Sequence, residues 1–159
     1  ATGIARKMVT QYGMSEKVGM VKVGEDNSEP FAGKGYGHGF KVVDKRDWFF
    51  SCHFWCDSVM PGSLGVEAMH QALELWCVHA GLGGGKRDAT FSHELGKTAW
   101  KYRGQLTPKA ERCDVEVHVQ SVERAVGAVT VVADGFLYVD SLRVYQVNGL
   151  RLRVHGAGR

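Results

Sequence analysis

The stretch MPGSLGVEAMHQALELWCVHAG, residues 60–81, decides the fold class of this chain. Met60-Pro61-Gly62-Ser63 is typical of a helix start, because proline is tolerated in the first helical turn and breaks a helix further in. No proline interrupts residues 64–80, and Gly81 stands where a C-terminal cap is expected. The stretch therefore predicts one long helix over about residues 64–80.

The predicted helix has two faces of different chemistry. Small and apolar side chains recur at three- and four-residue steps, which places them on one face: Gly65, Ala68, Met69, Ala72 and Trp76. We expect this face to lie against a sheet, where small residues let the backbones approach closely. Polar side chains fall on another side: Glu67, His70, Gln71 and Glu74. By spacing alone, Glu67 is typical of a solvated helix face.

After a glycine cluster at residues 81–85, the hydrophobic period changes from helical to two. Residues 114–119 alternate cleanly between polar and apolar. Further short apolar segments, each bounded by Gly, Asp or Asn, lie at residues 129–132, 136–139, 142–147 and 150–154. Several short strands after one long helix predict an α+β fold, a mostly antiparallel sheet with the helix against one face. Because an open sheet must cover its edges, we also expect dimerisation.

The pattern before the helix is less regular. Residues 40–54 are rich in aromatic side chains and are interpreted as extended. Residues 2–12, with apolar positions four apart, predict a short helix, and residues 20–23 could supply a first strand. Since the sequence begins with Ala1 and not Met, we expect a processed chain or a fragment.

The composition excludes several classes of protein. The 159 residues, 44% of them hydrophobic and 23% charged, suffice for one domain with a sizeable core. The net charge is +3 and no run of like charges exceeds a pair, so binding to nucleic acid is not predicted. No apolar stretch approaches the roughly 18 residues of a membrane span. Four cysteines without repeated close spacing favour a reducing compartment, so we expect a cytoplasmic protein, an organelle being also compatible.

A histidine among bulky apolar residues lies shortly before the helix, in Ser51-Cys52-His53-Phe54-Trp55-Cys56. If this stretch is a strand, His53 is most simply a core histidine whose ring nitrogens are hydrogen-bonded. Zinc is a second interpretation, because Cys52, His53 and Cys56 are close in sequence. Their spacing is not the two-residue gap of a zinc knuckle, and no second Cys/His pair follows at a matching interval, so no metal site is predicted.

Acid–base chemistry is the third interpretation of His53. Residues 60–62 bring free backbone N–H groups to the start of a long helix, where a developing oxyanion is stabilised. A histidine shortly before that point and a carboxylate one turn inside the helix could act there as base and acid. The spacing of His53, Gly62 and Glu67 is thus compatible with proton abstraction beside a carbonyl and loss of a β-substituent.

Residues 47–69, DWFFSCHFWCDSVMPGSLGVEAM, resemble the active-site region of the FabA-like 3-hydroxyacyl-ACP dehydratases. They look most like the dehydratase domains of polyunsaturated fatty acid synthases. The resemblance continues through KYRGQLTP, residues 101–108, and covers about residues 35–154. It implies a hotdog fold, in which a curved antiparallel sheet wraps a long central helix and two hotdogs pair as a dimer or pseudo-dimer.

The resemblance also implies a reaction. His53 matches the family histidine that removes the α-proton of a 3-hydroxyacyl thioester carried by acyl carrier protein. Glu67, supplied by the partner subunit or by a second hotdog domain, matches the acid that protonates the departing β-hydroxyl, and the Gly62 N–H would hold the thioester oxygen. No cofactor is implied. Four neighbouring residues are expected to contact the substrate: Cys52, Phe54, Val59 and Pro61.

Three positions depart from the family pattern. Glu67 stands where the bacterial decanoyl enzymes have Asp, while related dehydratases use Glu, so elimination is expected and isomerisation to a cis-3 product is less secure. Ser58 replaces a usual Pro and removes no catalytic group. His70, often apolar or aromatic in relatives, is interpreted as polar lining of the site, with tuning of the pKa of Glu67 as the alternative.

The first 35 residues resemble a different protein. Residues 1–19, ATGIARKMVTQYGMSEKVG, are similar to a peptidase-domain segment of FtsH-type proteases, yet the chain has no His-Glu-x-x-His and no Walker A motif, so proteolysis is excluded. We divide the chain into an N-terminal segment of uncertain origin (1–35), a FabA-like hotdog domain (36–155) and a tail (156–159). Two alternatives to catalysis are a non-catalytic hotdog subunit in a larger complex and a protease fragment with a regulatory role.

Overall fold

A long helix organises the fold. In the computed structural model, which describes residues 22–25, 35–82, 90–94 and 96–155, helix α1 spans Gly62–His79. The predicted helix is therefore confirmed. At its end the Gly81 N–H donates to the Val78 carbonyl at 3.1 Å, and Gly81 has φ +68°. Glycine adopts this left-handed conformation without steric cost, which explains why the helix stops there.

One stripe of α1 lies in the core, as the sequence indicates. The buried helix residues are Gly65, Met69, Ala72, Leu73, Trp76 and Cys77. A Cβ on Gly65 would overlap the Tyr145 ring, and a Cβ on Gly135 of the facing sheet would lie 2.6 Å from Sδ of Met69. Helix and sheet therefore approach closely at two glycines, and Glu67 is left half-buried at the margin of this contact.

Replacement of Gly65 by valine is expected to destabilise the fold by about 1–3 kcal/mol, because the added side chain meets the Tyr145 ring in a filled core. Chemical denaturation followed by circular dichroism measures the free energy of unfolding. Ala80→Val introduces the same side chain at an exposed position just after α1 and serves as the control. Equal stability of the two variants would contradict the close packing at Gly65.

The sheet has seven antiparallel strands in the described ranges. Their bounds are β1 Lys22–Glu25, β2 Gly35–Val42, β3 Thr90–His93, β4 Ala99–Tyr102, β5 Arg112–Ala125, β6 Ala128–Val139 and β7 Leu142–His155. The order in the sheet is β1-β2-β5-β6-β7-β3, and β4 pairs with a different stretch of β7. An antiparallel sheet with a helix on one face confirms the α+β prediction.

The predicted short strands merge into fewer, longer ones. Residues 129–132 and 136–139 both belong to β6, and residues 142–147 and 150–154 both belong to β7. A register shift between Ala133 and Gly135 marks an irregularity in the pairing of β6 with β7. A bulge interrupts the pairing of a strand without ending it. The residues expected at strand ends therefore lie inside continuous strands.

The interpretation of residues 40–54 as extended is wrong beyond Val42, where β2 ends. Trp48–Ser51 form one 3₁₀ turn, and two neighbouring residues of it, Phe49 and Phe50, are both buried. Successive side chains of a strand point to opposite faces, so a strand at the edge of the core cannot bury both rings. The 3₁₀ turn brings both of them inward.

Two further expectations concern the N-terminal part of the chain. Strand β1 pairs with β2 from Lys22 opposite His38 to Glu25 opposite Gly35, so a first strand exists close to the predicted residues 20–23. The helix predicted over residues 2–12 lies outside the described residues. Among the residues that the structure describes, no helix combines the length and the apolar character of a membrane span.

Candidate active site

His53 lies in the loop between the 3₁₀ turn and α1, and not in a strand as one interpretation of the sequence requires. Three hydrogen bonds fix it. Its N–H donates to the Phe49 carbonyl at 2.9 Å, and its carbonyl accepts from the Val59 N–H at 2.9 Å. The imidazole Nδ1 lies 3.0 Å from the Val59 carbonyl oxygen. Backbone and ring are thus both held, and the side chain is half-buried.

The contact with Val59 also determines which ring nitrogen of His53 is basic. A carbonyl oxygen only accepts hydrogen bonds, so the proton of the neutral ring resides on Nδ1. Nε2 is then left with its lone pair, which is the form a general base requires. Val59 itself is 2% exposed, so the carbonyl that orients the ring is fixed in the core.

Glu67 projects from the first turns of α1 into an open cavity of about 330 Å³. Its Oε1 accepts a hydrogen bond from Nε2 of Gln71 at 3.0 Å, one helical turn further on. The residues that line the cavity come from α1, β3, β4, β7 and the segment before β4: Ser63, Val66, Glu67, His70, His93, Thr98, Trp100 and Val147. The described lining includes the predicted acid and does not include His53.

Gly62 is the first residue of α1, and its N–H has no intrahelical acceptor because of that position. The preceding Pro61 offers no side-chain cap. A Cβ on Gly62 would lie 3.2 Å from the Trp100 ring and 3.5 Å from the Tyr102 ring. A donor at the positive end of the helix dipole therefore stands beside two aromatic rings, next to the cavity that Glu67 and Trp100 line.

His70 lines the cavity one turn after Glu67, which agrees with its interpretation as polar lining. Its ring stacks on the ring of His93, with centroids 3.8 Å apart and planes 17° apart. The pKa of His70 is lowered from 6.5 to about 4, mainly by burial and also by the neighbouring His93, while Glu67 opposes the shift. Burial also raises the pKa of Glu74, whose Oε1 lies 3.7 Å from Nε2 of His93.

The lowered pKa of His70 makes the stability of the fold dependent on pH. The unfolded chain takes up a proton at this residue near pH 6.5, whereas the folded chain resists it down to about pH 4. Stability is therefore fully present above pH 6.5 and is lost as the pH falls toward 4. One pKa unit corresponds to about 1.4 kcal/mol, and we expect a loss of only about 1–2 kcal/mol because solvent screens the half-buried ring.

Denaturation curves of the wild type and of His70→Gln at a series of pH values measure this loss. The variant carries an uncharged side chain of similar size throughout the series, so its stability should change less between pH 6.5 and 4. The groups nearest the ring, His93 and Glu67, are kept in both proteins. Identical pH dependence of the two would contradict the assignment to His70.

Three of the other predicted site residues, Cys52, Phe54 and Val59, lie near His53 rather than in the cavity of Glu67. Cys52 and Phe54 are exposed, and the Phe54 ring lies 3.9 Å from the His53 ring, centroid to centroid. Pro61 is half-buried at the helix start. Cys52 directs its Sγ toward the carbonyls of its own turn. The structure thus groups the predicted residues in two places, one around His53 and one around Glu67.

Sequence reasoning did not find His93 as a cavity residue. This histidine lies on β3, a short strand that pairs with β7. Its only signal in the sequence is residue type. The antiparallel pairing with β7 brings His93 next to His70 of α1, and a local pattern does not report such pairing.

Comparison with known proteins identifies the family. Residues 17–148 match the FabA-like domain. Over 124 residues the chain is 59% identical to a polyunsaturated fatty acid synthase subunit of Thraustochytrium sp., a match that covers 77% of this chain and 8% of that protein. The chain thus spans a small part of this relative's length. The resemblance of residues 1–35 to FtsH-type proteases is unsupported, and the FabA-like match begins inside that stretch.

Solved structures show the same fold at low sequence identity. A candidate thioesterase from Lactococcus lactis superposes with a TM-score of 0.61 at 6% identity, over 86% of this chain and 90% of that one. A hypothetical thioesterase with coenzyme A from Streptococcus pneumoniae gives 0.60 at 11% identity, over 99% and 98%. This likeness shows the fold alone, a hotdog, as the family resemblance implied. Fold and family match agree: this chain belongs to the FabA-like family.

Proposed function

We propose that this chain is a 3-hydroxyacyl-ACP dehydratase, a lyase that converts 3-hydroxyacyl thioesters on acyl carrier protein to trans-2-enoyl thioesters and water. The main support is His53, whose Nδ1 is held by the Val59 carbonyl and whose Nε2 is left as a base. The identity to part of a polyunsaturated fatty acid synthase supports a role in fatty acid or polyunsaturated fatty acid synthesis. We infer a cofactor-free reaction in the cytoplasm, or alternatively in an organelle.

The proposed reaction uses three groups. Nε2 of His53 removes the proton from the α-carbon, and the negative charge moves to the thioester oxygen. The Gly62 N–H, at the positive end of α1, stabilises that oxygen. Glu67 in its acid form gives a proton to the β-hydroxyl, so the C–O bond breaks, the α,β double bond forms and water leaves.

We infer that one active site draws on two hotdogs. Within one chain the Glu67 cavity does not include His53 among its described lining residues. Three aromatic side chains around His53 are exposed to an unusual degree, with Trp55 91%, Trp48 65% and Phe54 59% accessible. Large exposed apolar side chains grouped together are typical of an interface. A second copy, or a second hotdog domain, would cover them and bring its own Glu67 equivalent to His53.

We assign the substrate contacts accordingly. Val59 acts through its carbonyl on His53, while Cys52, Phe54 and Pro61 border the acyl chain beside the imidazole. The phosphopantetheine-linked acyl chain of acyl carrier protein would approach between the His53 loop of one hotdog and the Glu67 cavity of the other.

A direct assay tests this function. Purified protein is incubated with a 3-hydroxyacyl thioester, and the conjugated enoyl thioester is followed by its ultraviolet absorbance. We expect the enoyl product to accumulate without release of free thiol. Release of free thiol would instead indicate thioester hydrolysis. Absence of any product, with the folded dimer present, would favour the alternative of a non-catalytic hotdog subunit in a larger complex, since fold does not fix function.

A further inference from the structure

Glu67, His70 and His93 form a cluster with the composition of a metal site. One ligand atom of each lies within 4.8 Å of the others. All three line the cavity of about 330 Å³, so an ion and its remaining water ligands have room. We propose that these three residues, the Glu-His-His cluster, bind one divalent transition-metal ion, and that Zn²⁺ is the ion they suit best.

The donor set supports zinc. Two imidazoles and one carboxylate are a set that Zn²⁺ takes in protein sites with an open coordination position. At Zn–N and Zn–O distances near 2.1 Å, tetrahedral donors stand about 3.4 Å apart. The atoms of the cluster, which lie within 4.8 Å of one another, must therefore close by at most about 1.4 Å. The His70 and His93 rings are stacked, so their in-plane lone pairs do not converge, and one ring must leave the stack. His93 is 45% accessible at its side chain, so its ring has the freedom to turn toward the ion.

Two further side chains contact the cluster in the way that metal ligands are commonly supported. Glu67 and His70 are three residues apart on α1, a spacing that puts both side chains on one helix face. Gln71 donates a hydrogen bond to Glu67, and the Glu74 carboxylate lies beside the His93 imidazole. Carboxylates and amides in such positions orient metal ligands. The contacts thus supply an outer layer around the three donors.

The Glu-His-His cluster has no signature in the sequence. Close spacing suggests zinc only at Cys52, His53 and Cys56, which are neighbours in the chain. His93 reaches the cluster through the pairing of β3 with β7, which places it opposite Leu152. The cluster therefore depends on tertiary structure.

Occupation of the cluster would inhibit the enzyme. This consequence rests on the proposed function, because Glu67 is the acid of that reaction and a carboxylate bound to zinc cannot deliver a proton. Binding of the ion itself does not depend on the reaction.

Titration calorimetry of the chelator-stripped full chain with Zn²⁺ tests the proposal. We expect one ion per chain, with the affinity at least tenfold lower in His70→Ala and in His93→Ala. His79→Ala, which removes an exposed histidine of the same helix, should bind like the wild type. Co²⁺ in place of Zn²⁺ should give visible absorption bands of a four-coordinate ion, and these bands should disappear in His93→Ala.

Three results would overturn the proposal: no saturable binding to the wild type, unchanged affinity in a folded His93→Ala, or loss of binding only in the Cys52→Ser Cys56→Ser double variant. His93 is exposed, so its variant remains informative even if His70→Ala fails to fold. Inhibition of enoyl formation by Zn²⁺ and its reversal by chelator are measured separately. If dehydration is absent while the titration behaves as expected, the proposed function fails and the metal site stands.

Discussion

Enoyl formation should fall by about two to four orders of magnitude when His53 is replaced by alanine, because the reaction then loses its positioned general base. The loop around His53 is held mainly by backbone hydrogen bonds to Phe49 and Val59, so the variant should keep the fold. Initial rates of absorbance change with a 3-hydroxyacyl thioester, measured at several substrate concentrations, give kcat and KM. We expect the loss of rate to appear in kcat, since a general base acts on substrate that is already bound.

The control for this experiment is His79→Ala, which removes an exposed histidine at the other end of α1. It should retain the wild-type rate. A His53→Ala protein that turns over as fast as the wild type would remove the base from the mechanism. A rise in KM with kcat unchanged would indicate that His53 contributes to binding rather than to proton transfer.

The fold could be predicted largely because its signals are local. The period of apolar residues in residues 64–80 and the cap at Gly81 specify α1 without any knowledge of its partners. The alternation of polar and apolar residues at 114–119 likewise specifies part of β5. The prediction failed at Phe49 and Phe50. Two adjacent aromatic residues are compatible with a strand, but here both rings are buried on the same side, which a strand does not allow.

The candidate site could be predicted only in part. His53, Gly62 and Glu67 lie within one short stretch, and their types and order are compatible with a base, an oxyanion donor and an acid, roles that the family resemblance implies. The groups that contact these three residues could not be predicted in this way. The carbonyl of Val59 orients His53 through a loop conformation, and His93 reaches Glu67 through strand pairing. Both depend on backbone geometry that residue type does not encode.

Glu67→Gln should also reduce turnover by about two to four orders of magnitude, since an amide cannot donate the proton that the leaving hydroxyl requires. This variant is a close match in shape. The amide oxygen of the new side chain can still accept the hydrogen bond from Gln71, so helix α1 and the cavity should be preserved. Circular dichroism and the free energy of unfolding, compared with the wild type, verify that preservation.

The two inactive variants together test whether one site uses two chains. If His53 of one copy works with Glu67 of the other, each mixed dimer of His53→Ala and Glu67→Gln contains one intact site and one doubly defective site. Random exchange makes about half of the dimers mixed, so about a quarter of the wild-type activity should return. A chain carrying both substitutions, mixed with either single variant, builds no intact site and should remain inactive. Failure to recover activity in an exchanged mixture would show that two copies of this chain do not form the site between them.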